Sequence, residues 1–233
     1  TVTDANGCSA LDSVVVAEPT PVVLATAVAD ALCFGDSSGT AYVTATGGSA
    51  PYTFLWNTGA TTDSIAGLGI GTYFVTVTDI NGCSTSDTVI VNDPASIALA
   101  TNATNVLCFG DSAGTAYVTA TGGLAPYTFL WNNGATADSI AGLAAGTYFV
   151  TVTDINGCST SDTVVVAEPT PIALATAAAD ALCFGDSSGT AYVTASGGSA
   201  PYTFLWNTGA TADSIAGLTA GTYFVTVTDA NGC

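Results

Sequence analysis

The chain has 233 residues, 48% of them hydrophobic, and its charge is one-sided, with 18 Asp and Glu, no Lys, Arg or His, and a net charge of −18. Without histidine or lysine, the common Ser–His–Asp and Cys–His catalytic arrangements are excluded, and uncompensated carboxylates repel nucleic acid and anionic lipid. No apolar run reaches the roughly 18 residues of a bilayer span. We therefore expect a protein that is not an enzyme, binds no nucleic acid and does not insert into membranes.

The sequence repeats itself with a period of 75 residues. Seven cysteines mark the period in two series: Cys8, Cys83, Cys158 and Cys233, and then Cys33, Cys108 and Cys183. Residues 33–83 recur at 183–233 with only five substitutions. A catalyst needs one pocket, whereas a rod or a multivalent surface needs copies. The repeat therefore predicts a linear array of small domains.

Each repeat consists of short predicted strands separated by turns. Apolar and polar residues alternate with the period of two that is typical of half-buried strands. In the first full repeat, the predicted strands are residues 22–29, 39–46, 52–57, 63–68, 71–79 and 84–91. Asn81-Gly82 is a strong hairpin signal between the last two. No helical period is present, so we predict an all-β fold, a tandem array of immunoglobulin- or fibronectin-like β-sandwich domains.

Proline-rich segments give the domain boundaries. We assign residues 1–18 to the C-terminal strands of a preceding repeat, 19–93 and 94–168 to complete immunoglobulin-like repeats, and 169–233 to a repeat that stops before its last strand. A continuous longer chain explains this division most simply. The alternative is that residues 1–18 complete a neighbouring copy by strand addition.

Regularly placed cysteines indicate disulfides, and therefore an oxidising extracellular compartment. Two sets of pairs fit the spacing. The pairs within repeats are Cys33–Cys83, Cys108–Cys158 and Cys183–Cys233, and the pairs across repeats are Cys8–Cys33, Cys83–Cys108 and Cys158–Cys183. Loops of about 50 and about 25 residues are worth roughly 4 and roughly 3.5 kcal/mol, too close to decide between them. We favour the first set because it staples each domain internally.

Carboxylates are the next candidates for chemistry. Asp36 lies in a Gly-Asp-Ser-Ser-Gly loop, and the segment containing Asp79 and Asn81 loosely resembles a calcium loop. Calcium requires six to eight oxygen ligands, and this spacing lacks the dense alternate acids of a dedicated site. Turn and capping roles explain these residues equally well. We predict no cofactor, with Ca²⁺ at Asp36, Asp79 and Asn81 as the alternative.

Several motifs in each repeat point to a known family. The first copy reads Cys33-Phe34-Gly35-Asp36-Ser37-Ser38-Gly39, then Gly47-Gly48 with Pro51-Tyr52-Thr53, then Trp56-Asn57-Thr58-Gly59, and closes with Gly71-Thr72-Tyr73-Phe74-Val75 and Asn81-Gly82-Cys83. These motifs resemble the SprB repeat of large surface adhesins of gliding and other Bacteroidota. The resemblance implies a cell-surface filament, exported by the type IX pathway, that contacts solid surfaces or polysaccharide and serves gliding motility.

The same resemblance implies glycosylation. Asp-Ser/Thr-apolar triplets are similar to the O-glycosylation signal of Bacteroidota. The hydroxyls that they would modify are Ser13, Ser64, Thr88, Ser112, Ser139, Thr163 and Ser214. Ordinary strand sequence is the alternative explanation, because Asp, Ser and Thr are abundant in this chain.

Two large apolar residues per repeat occupy predicted outward positions on neighbouring strands. The candidates for a lateral contact between rods are Leu55, Phe74, Leu130, Phe149, Leu205 and Phe224. Each such side chain kept in water forgoes roughly 1.5–3 kcal/mol of burial. We therefore expect self-association into filaments or bundles, unless glycans or adjacent domains cover these residues.

Repetition, charge and disulfides together predict a structural role. We expect a rigid, disulfide-stapled stalk of an extracellular filament or adhesin, with other copies of itself as the main partner. The alternative is a multivalent module whose copies provide avidity for surface polysaccharide.

Overall fold

The computed structural model describes all residues, 1–233, and its regular elements are all β-strands. The chain divides into two compact units, Thr1–Ser96 and Ile97–Cys233. None of its elements is a helix of the length and hydrophobicity that a membrane-spanning segment requires. The predicted all-β fold class is confirmed.

The first unit contains a short hairpin and one sandwich. Its strands are β1 (Val2–Thr3), β2 (Ser9–Ala10), β3 (Val23–Ala29), β4 (Gly39–Thr46), β5 (Thr53–Trp56), β6 (Ser64–Leu68), β7 (Gly71–Thr78) and β8 (Ser84–Val91). β1 and β2 pair only with each other, and residues 11–18 form no strand and are exposed. β3, β4 and β6 form one sheet of the sandwich, and β5, β7 and β8 form the other. All pairs are antiparallel.

The alternation seen in the sequence builds the core between these two sheets. Ala41 and Val43 from β4 face Val75 and Val77 from β7, and all four are almost fully buried around Trp56. The intervening threonines point outward, which follows from the period of two in a strand. The Thr26 hydroxyl of β3 also donates to the Asp87 carboxylate of β8 at 2.9 Å. This hydrogen bond ties the two sheets together at one side.

The second unit contains two sandwiches built in the same way. The strands of the second sandwich are β9 (Ala98–Thr104), β10 (Gly114–Thr121), β11 (Thr128–Trp131), β12 (Ser139–Leu143), β13 (Gly146–Thr153) and β14 (Ser159–Val166). The strands of the third are β15 (Ala173–Ala179), β16 (Gly189–Ser196), β17 (Thr203–Trp206), β18 (Ser214–Leu218) and β19 (Val225–Thr228). The second sandwich pairs β9-β10-β12 and β11-β13-β14. The third pairs β15-β16-β18, but its other sheet contains only β17 and β19.

A glycine pair follows the second long strand and allows the linker that precedes the sandwich to lie close to it. Gly197 and Gly198 have φ angles of 76° and 56°, a region that L side chains rarely adopt. A Cβ atom on Gly197 would lie 2.0 Å from the carbonyl oxygen of Pro171. The N–H group of Gly198 donates to the carbonyl of Thr170 at 2.7 Å. The glycines therefore allow the linker to pack against the end of the sandwich that carries the last hairpin.

Candidate functional site

A buried carboxylate organises the last hairpin of each sandwich. In the third sandwich Asp229 is only 5% exposed, and it accepts hydrogen bonds from the backbone N–H groups of Ser199, Asn231 and Cys233 at 2.8, 2.9 and 3.0 Å. Asp79 makes the same three contacts in the first sandwich, with Ser49, Asn81 and Cys83. This carboxylate therefore sets the position of the cysteine that closes the hairpin.

The same hydrogen bonds perturb the acidity of this carboxylate. Donation from the Ser199 N–H group is the main reason why the pKa of Asp229 lies below its ordinary value, with burial acting in the opposite direction. The pKa of Asp79 is lowered too, chiefly by the Cys83 N–H group. Because the folded-state pKa is below the unfolded one, this stabilisation is present above the usual Asp pKa and is lost as the pH falls through the lowered value.

The other cysteine of the first and third repeats sits in a loop shaped by a second carboxylate. Asp36 accepts hydrogen bonds from the N–H and hydroxyl groups of Ser38 and from the N–H group of Cys33. The Ser38 N–H group is the main cause of the lowered pKa of Asp36. In the second sandwich the loop is also tied to the end of its own domain, because Gly110 N–H donates to the Glu168 carboxylate at 2.7 Å.

These two kinds of cysteine meet where the second and third sandwiches join, within the second unit. Cys108 and Cys233 form a disulfide with a Cα–Cα distance of 5.6 Å. Beside it, the Asn231 side-chain amide donates to the Leu107 carbonyl at 3.1 Å. A cavity of about 200 Å³ lies beside the disulfide and is lined in part by Phe109 and Ile172. The second and third sandwiches are therefore linked covalently, and the bond connects residues 125 positions apart.

The predicted cysteine pairs are corrected by this bond. Cys108 does not pair with Cys158, and Cys233 does not pair with Cys183, because Cys108 and Cys233 are bonded to each other. Cys8, Cys83 and Cys183 are free and exposed. The pair Cys33–Cys83 is therefore also wrong, as are the alternatives across repeats, which each required Cys8, Cys83 or Cys183.

The predicted pairs within repeats do not form because the two cysteines of one sandwich lie at opposite ends of it. In the third sandwich Cys183 precedes the first residue of β16, where Gly189 pairs with Leu218. Cys233 lies near the opposite end of β16, held by Asp229 beside Ser199. An eight-residue strand spans about 26 Å, whereas a disulfide needs a Cα–Cα distance of about 4.4–6.8 Å. The end at which each cysteine lies follows from the strand order and was available from the predicted strands.

The structure gives the calcium candidates a structural role. The carboxylates of Asp36 and Asp79 are occupied by backbone N–H donors, as described above. Asn81 is exposed, and its N–H group donates to Asp79. No group of three or more His, Cys, Asp or Glu side chains is placed to hold a metal ion. Capping of turns is the role that these contacts support.

The structure places the predicted lateral-contact residues on the outer face of the second sheet in each sandwich. Leu55 on β5 lies opposite Thr76, and Phe74 lies two residues before Thr76 on β7, so both point to the same side. Their exposed fractions are 57% and 50%, and the equivalent residues are similarly exposed, namely Leu130, Phe149, Leu205 and Phe224. Sequence reasoning missed Ile90 and its equivalent Val165, which continue the apolar face on the third strand.

The seven predicted glycosylation hydroxyls are all exposed. They belong to Ser13, Ser64, Thr88, Ser112, Ser139, Thr163 and Ser214. Three of them, on Ser64, Ser139 and Ser214, donate hydrogen bonds to the carboxylate of the preceding Asp. Exposure makes the sites accessible, and glycosylation itself stays a prediction.

Sheet order, core and repetition define the class of protein. The chain is a tandem array of immunoglobulin-like β-sandwich domains spaced by about 75 residues. The model of one family, described as the SprB repeat, matches it three times, at residues 25–61, 100–136 and 175–211. The chain thus contains three SprB repeats, one in each sandwich, and the resemblance seen in the sequence is confirmed.

Several solved structures are distantly similar to this chain. The N-terminal eight immunoglobulin domains of Down Syndrome Cell Adhesion Molecule isoform 1.30.30 match at 11% identity and a TM-score of 0.38, covering 81% of this chain. The amphioxus IgVJ-C2 molecule matches at 14% identity and a TM-score of 0.26, covering 64% of this chain and 98% of that one. A complex of Dpr2 Ig1-Ig2 with DIP-Theta Ig1-Ig3 matches at 12% identity and a TM-score of 0.29, covering 82% and 81%.

This chain spans 40% of the length of the Down Syndrome Cell Adhesion Molecule chain that it matches. A search of the curated proteins found no match.

Proposed function

We propose that this chain is a non-catalytic stalk region of an extracellular filament, stiffened by the disulfide between its second and third sandwiches. The SprB repeat is associated with cell-surface proteins, and repeat and fold together fit an adhesin-type repeat region. The observation that most directly supports the stalk function is the Cys108–Cys233 bond. It does not brace the interior of a domain; it locks one sandwich to the next, which is where a string of domains would otherwise bend.

The composition supports the same proposal. A net charge of −18 with no cationic side chain makes like-charged domains repel, which opposes collapse of the array. The chain offers no histidine or lysine for acid–base or nucleophilic catalysis near neutral pH. We further propose export through the type IX pathway, O-linked sugar on the exposed Asp-Ser/Thr hydroxyls and a role in gliding motility, all of which rest on the family resemblance.

The stiffness of the joint can be measured directly. We expect spin labels introduced by unnatural amino acids at Ser139 and Ser214, which are exposed positions in the second and third sandwiches, to show a narrow distance distribution by pulsed electron paramagnetic resonance. In the chain carrying both Cys108→Ser and Cys233→Ser, the distribution should broaden. A distribution that is equally broad with the disulfide intact would contradict the stiff stalk.

Lateral bundling of such stalks is a further part of the proposal. The outer apolar face of Leu55, Phe74 and Ile90 recurs along the chain and is about half exposed. Faces of this kind commonly mark interaction surfaces. We propose that they meet the same faces of neighbouring stalks. Screening by salt is required, because the stalks carry like charge.

Replacing the leucines of this face is expected to disperse the bundles. The triple variant Leu55→Ser, Leu130→Ser and Leu205→Ser removes one large apolar side chain from each apolar face without touching the core. Pelleting and negative-stain microscopy would measure bundling. The matched control replaces Tyr42, Tyr117 and Tyr192, which are about equally exposed on the other sheet. Bundling that survives the leucine changes, or that is lost equally in the control, is incompatible with this contact.

A multivalent glycan-binding module is the second candidate. The observation in its favour is the exposed aromatic ring repeated at Phe74, Phe149 and Phe224, because such rings are able to stack on sugars. Copies would then add avidity. Binding of the full chain to a defined polysaccharide on a glycan array, lost on changing the three phenylalanines to serine, would favour this function over the stalk.

A further inference from the structure

The first two full repeats each end in an acidic residue, and a proline follows it. The two junctions are Asp93–Pro94 and Glu168–Pro169. Asp93–Pro94 is the only bond in the chain at which proline follows aspartate. It lies between β8, which ends at Val91, and β9, which begins at Ala98, in a segment that belongs to no strand. The bond is therefore not held in a sheet.

The chemistry of an aspartate followed by proline makes this bond reactive. The Asp93 side chain is able to reach its own main-chain carbonyl carbon through a five-membered ring, and a carboxylate placed so close to its target is an effective nucleophile. The Pro94 nitrogen belongs to a tertiary amide, which is more basic than an ordinary peptide nitrogen and leaves more readily once protonated. Glu168 has one more methylene group, so its attack requires a six-membered ring, which forms more slowly.

The fold orients the Asp93 carboxylate without covering the bond beside it. Oδ2 of Asp93 accepts a hydrogen bond from the Gly35 N–H group at 3.0 Å. This contact restricts the rotation of the side chain and engages one of its two oxygens. Asp93 and Pro94 are half-buried, whereas Asn92 and Ala95 on either side of them are exposed. Water and acid from the solvent therefore reach the linker in the folded chain.

The charged groups on the loop that packs against this linker are all carboxylates. Asp30 accepts a hydrogen bond from the Asn92 N–H group at 2.9 Å, and Asp36 directly follows Gly35. The chain has no Lys, Arg or His side chain that could offset them. Their negative potential attracts protons to the linker. Protonation of the leaving nitrogen, which breakage of the bond requires, is therefore favoured at this place.

We propose that the chain cleaves itself at the Asp93–Pro94 bond in acidic solution. A carboxylate oxygen of Asp93 bonds to the main-chain carbonyl carbon of the same residue, and the C–N bond to Pro94 breaks. A proton from the solvent goes to the Pro94 nitrogen. One water molecule then opens the cyclic anhydride and restores an ordinary aspartate at the new C-terminus. The products are residues 1–93 and 94–233, and the net reaction is hydrolysis without any other reactant.

Cleavage at this bond divides the polypeptide without cutting any strand. β8 ends at Val91 and β9 begins at Ala98, so each product keeps all of its strands. The slower bond after Glu168 stays intact, so the strands of the second and third sandwiches remain on one chain. Acid would thus divide the array at one chosen linker. This inference goes beyond the stalk function and does not rest on it.

Incubation of the full chain, residues 1–233, at about pH 3 and at about pH 7 tests the proposal, because aspartate titrates near the lower value. The samples are then reduced and analysed by mass spectrometry. We expect fragments 1–93 and 94–233 to form at least about tenfold faster at the lower pH, and at least about tenfold faster than any cut after Glu168. Cleavage that needs urea to unfold the chain, that is equally fast after Glu168, or that is spread over many aspartates overturns the proposal.

A reciprocal pair of variants identifies the reacting groups. Asp93→Glu copies the second junction and should slow cleavage after residue 93 by about tenfold or more. Its fold should be retained, because Glu168 accepts the equivalent hydrogen bond from the Gly110 N–H group at 2.7 Å. Glu168→Asp should introduce a second cut, after residue 168. Pro94→Ala keeps the carboxylate but changes the leaving nitrogen, and should also slow the reaction. Cleavage after residue 93 that is unchanged in Asp93→Glu or Pro94→Ala, or no new cut in Glu168→Asp, overturns the proposal.

Discussion

Replacing Cys108 with serine is expected to lower the free energy of unfolding of the second unit by about 5 kcal/mol. The Cys108–Cys233 bond closes a loop across 125 residues, and the entropy lost by the unfolded chain grows with the length of such a loop. The variant also frees Cys233 beside Leu107 and loosens the joint between the second and third sandwiches. Stability is therefore affected well beyond the local contact.

Urea unfolding followed by circular dichroism under oxidising conditions measures this effect. The control is Cys183→Ser, which changes the same residue type at the equivalent place in the next repeat, where the thiol is free and exposed. We expect the control to change the free energy of unfolding by less than about 0.5 kcal/mol. If both serine variants unfold at the same urea concentration, the disulfide contributes nothing to the stability of the second unit.

Replacing Trp131 with alanine is expected to destabilise the second sandwich by about 3–5 kcal/mol. Trp131 is 1% exposed at the centre of its core, and its indole N–H donates to the Ala137 carbonyl at 2.9 Å. Truncation therefore leaves a large cavity and an unpaired carbonyl. Since a typical domain is stable by about 5–15 kcal/mol, this sandwich would be close to unfolded at 37 °C.

In thermal unfolding of the full chain, the destabilised second sandwich should unfold in a separate transition at lower temperature. Fluorescence of Trp56 and Trp206 reports on the other two sandwiches. Trp131→Phe separates the contributions, since it keeps most of the volume and should cost about 1–2 kcal/mol for the lost hydrogen bond. The control is Leu130→Ala, the preceding residue on the same strand, which is 55% exposed and should change stability by less than about 0.5 kcal/mol. A tryptophan variant no less stable than the leucine variant would contradict this assignment of the core.

The candidate site was only partly predictable. The exposure of Leu55 and Phe74 followed from strand alternation, because outward and inward positions are local properties of a strand. Ile90 lies on the same face but was not recognised, because its contribution depends on which strand lies beside β7. The roles of Asp36 and Asp79 were open between calcium binding and turn formation. Their backbone N–H partners support turn formation, and one of those partners, Ser49, lies 30 residues from Asp79 in the sequence.

The sequence by itself determined the repeat, the strands, the inward residues and the family. Those features depend on residue spacing of a few positions and on copies of a motif, and both are visible along the chain. Only the tertiary structure decided which cysteines are bonded, because the predicted strands place each thiol at one end of its sandwich but do not state which ends of the second and third sandwiches meet. The bond joins Cys108 and Cys233 because the end of the third sandwich that carries Cys233 meets the end of the second sandwich that carries Cys108. Proximity in space, not separation in sequence, controls disulfide formation.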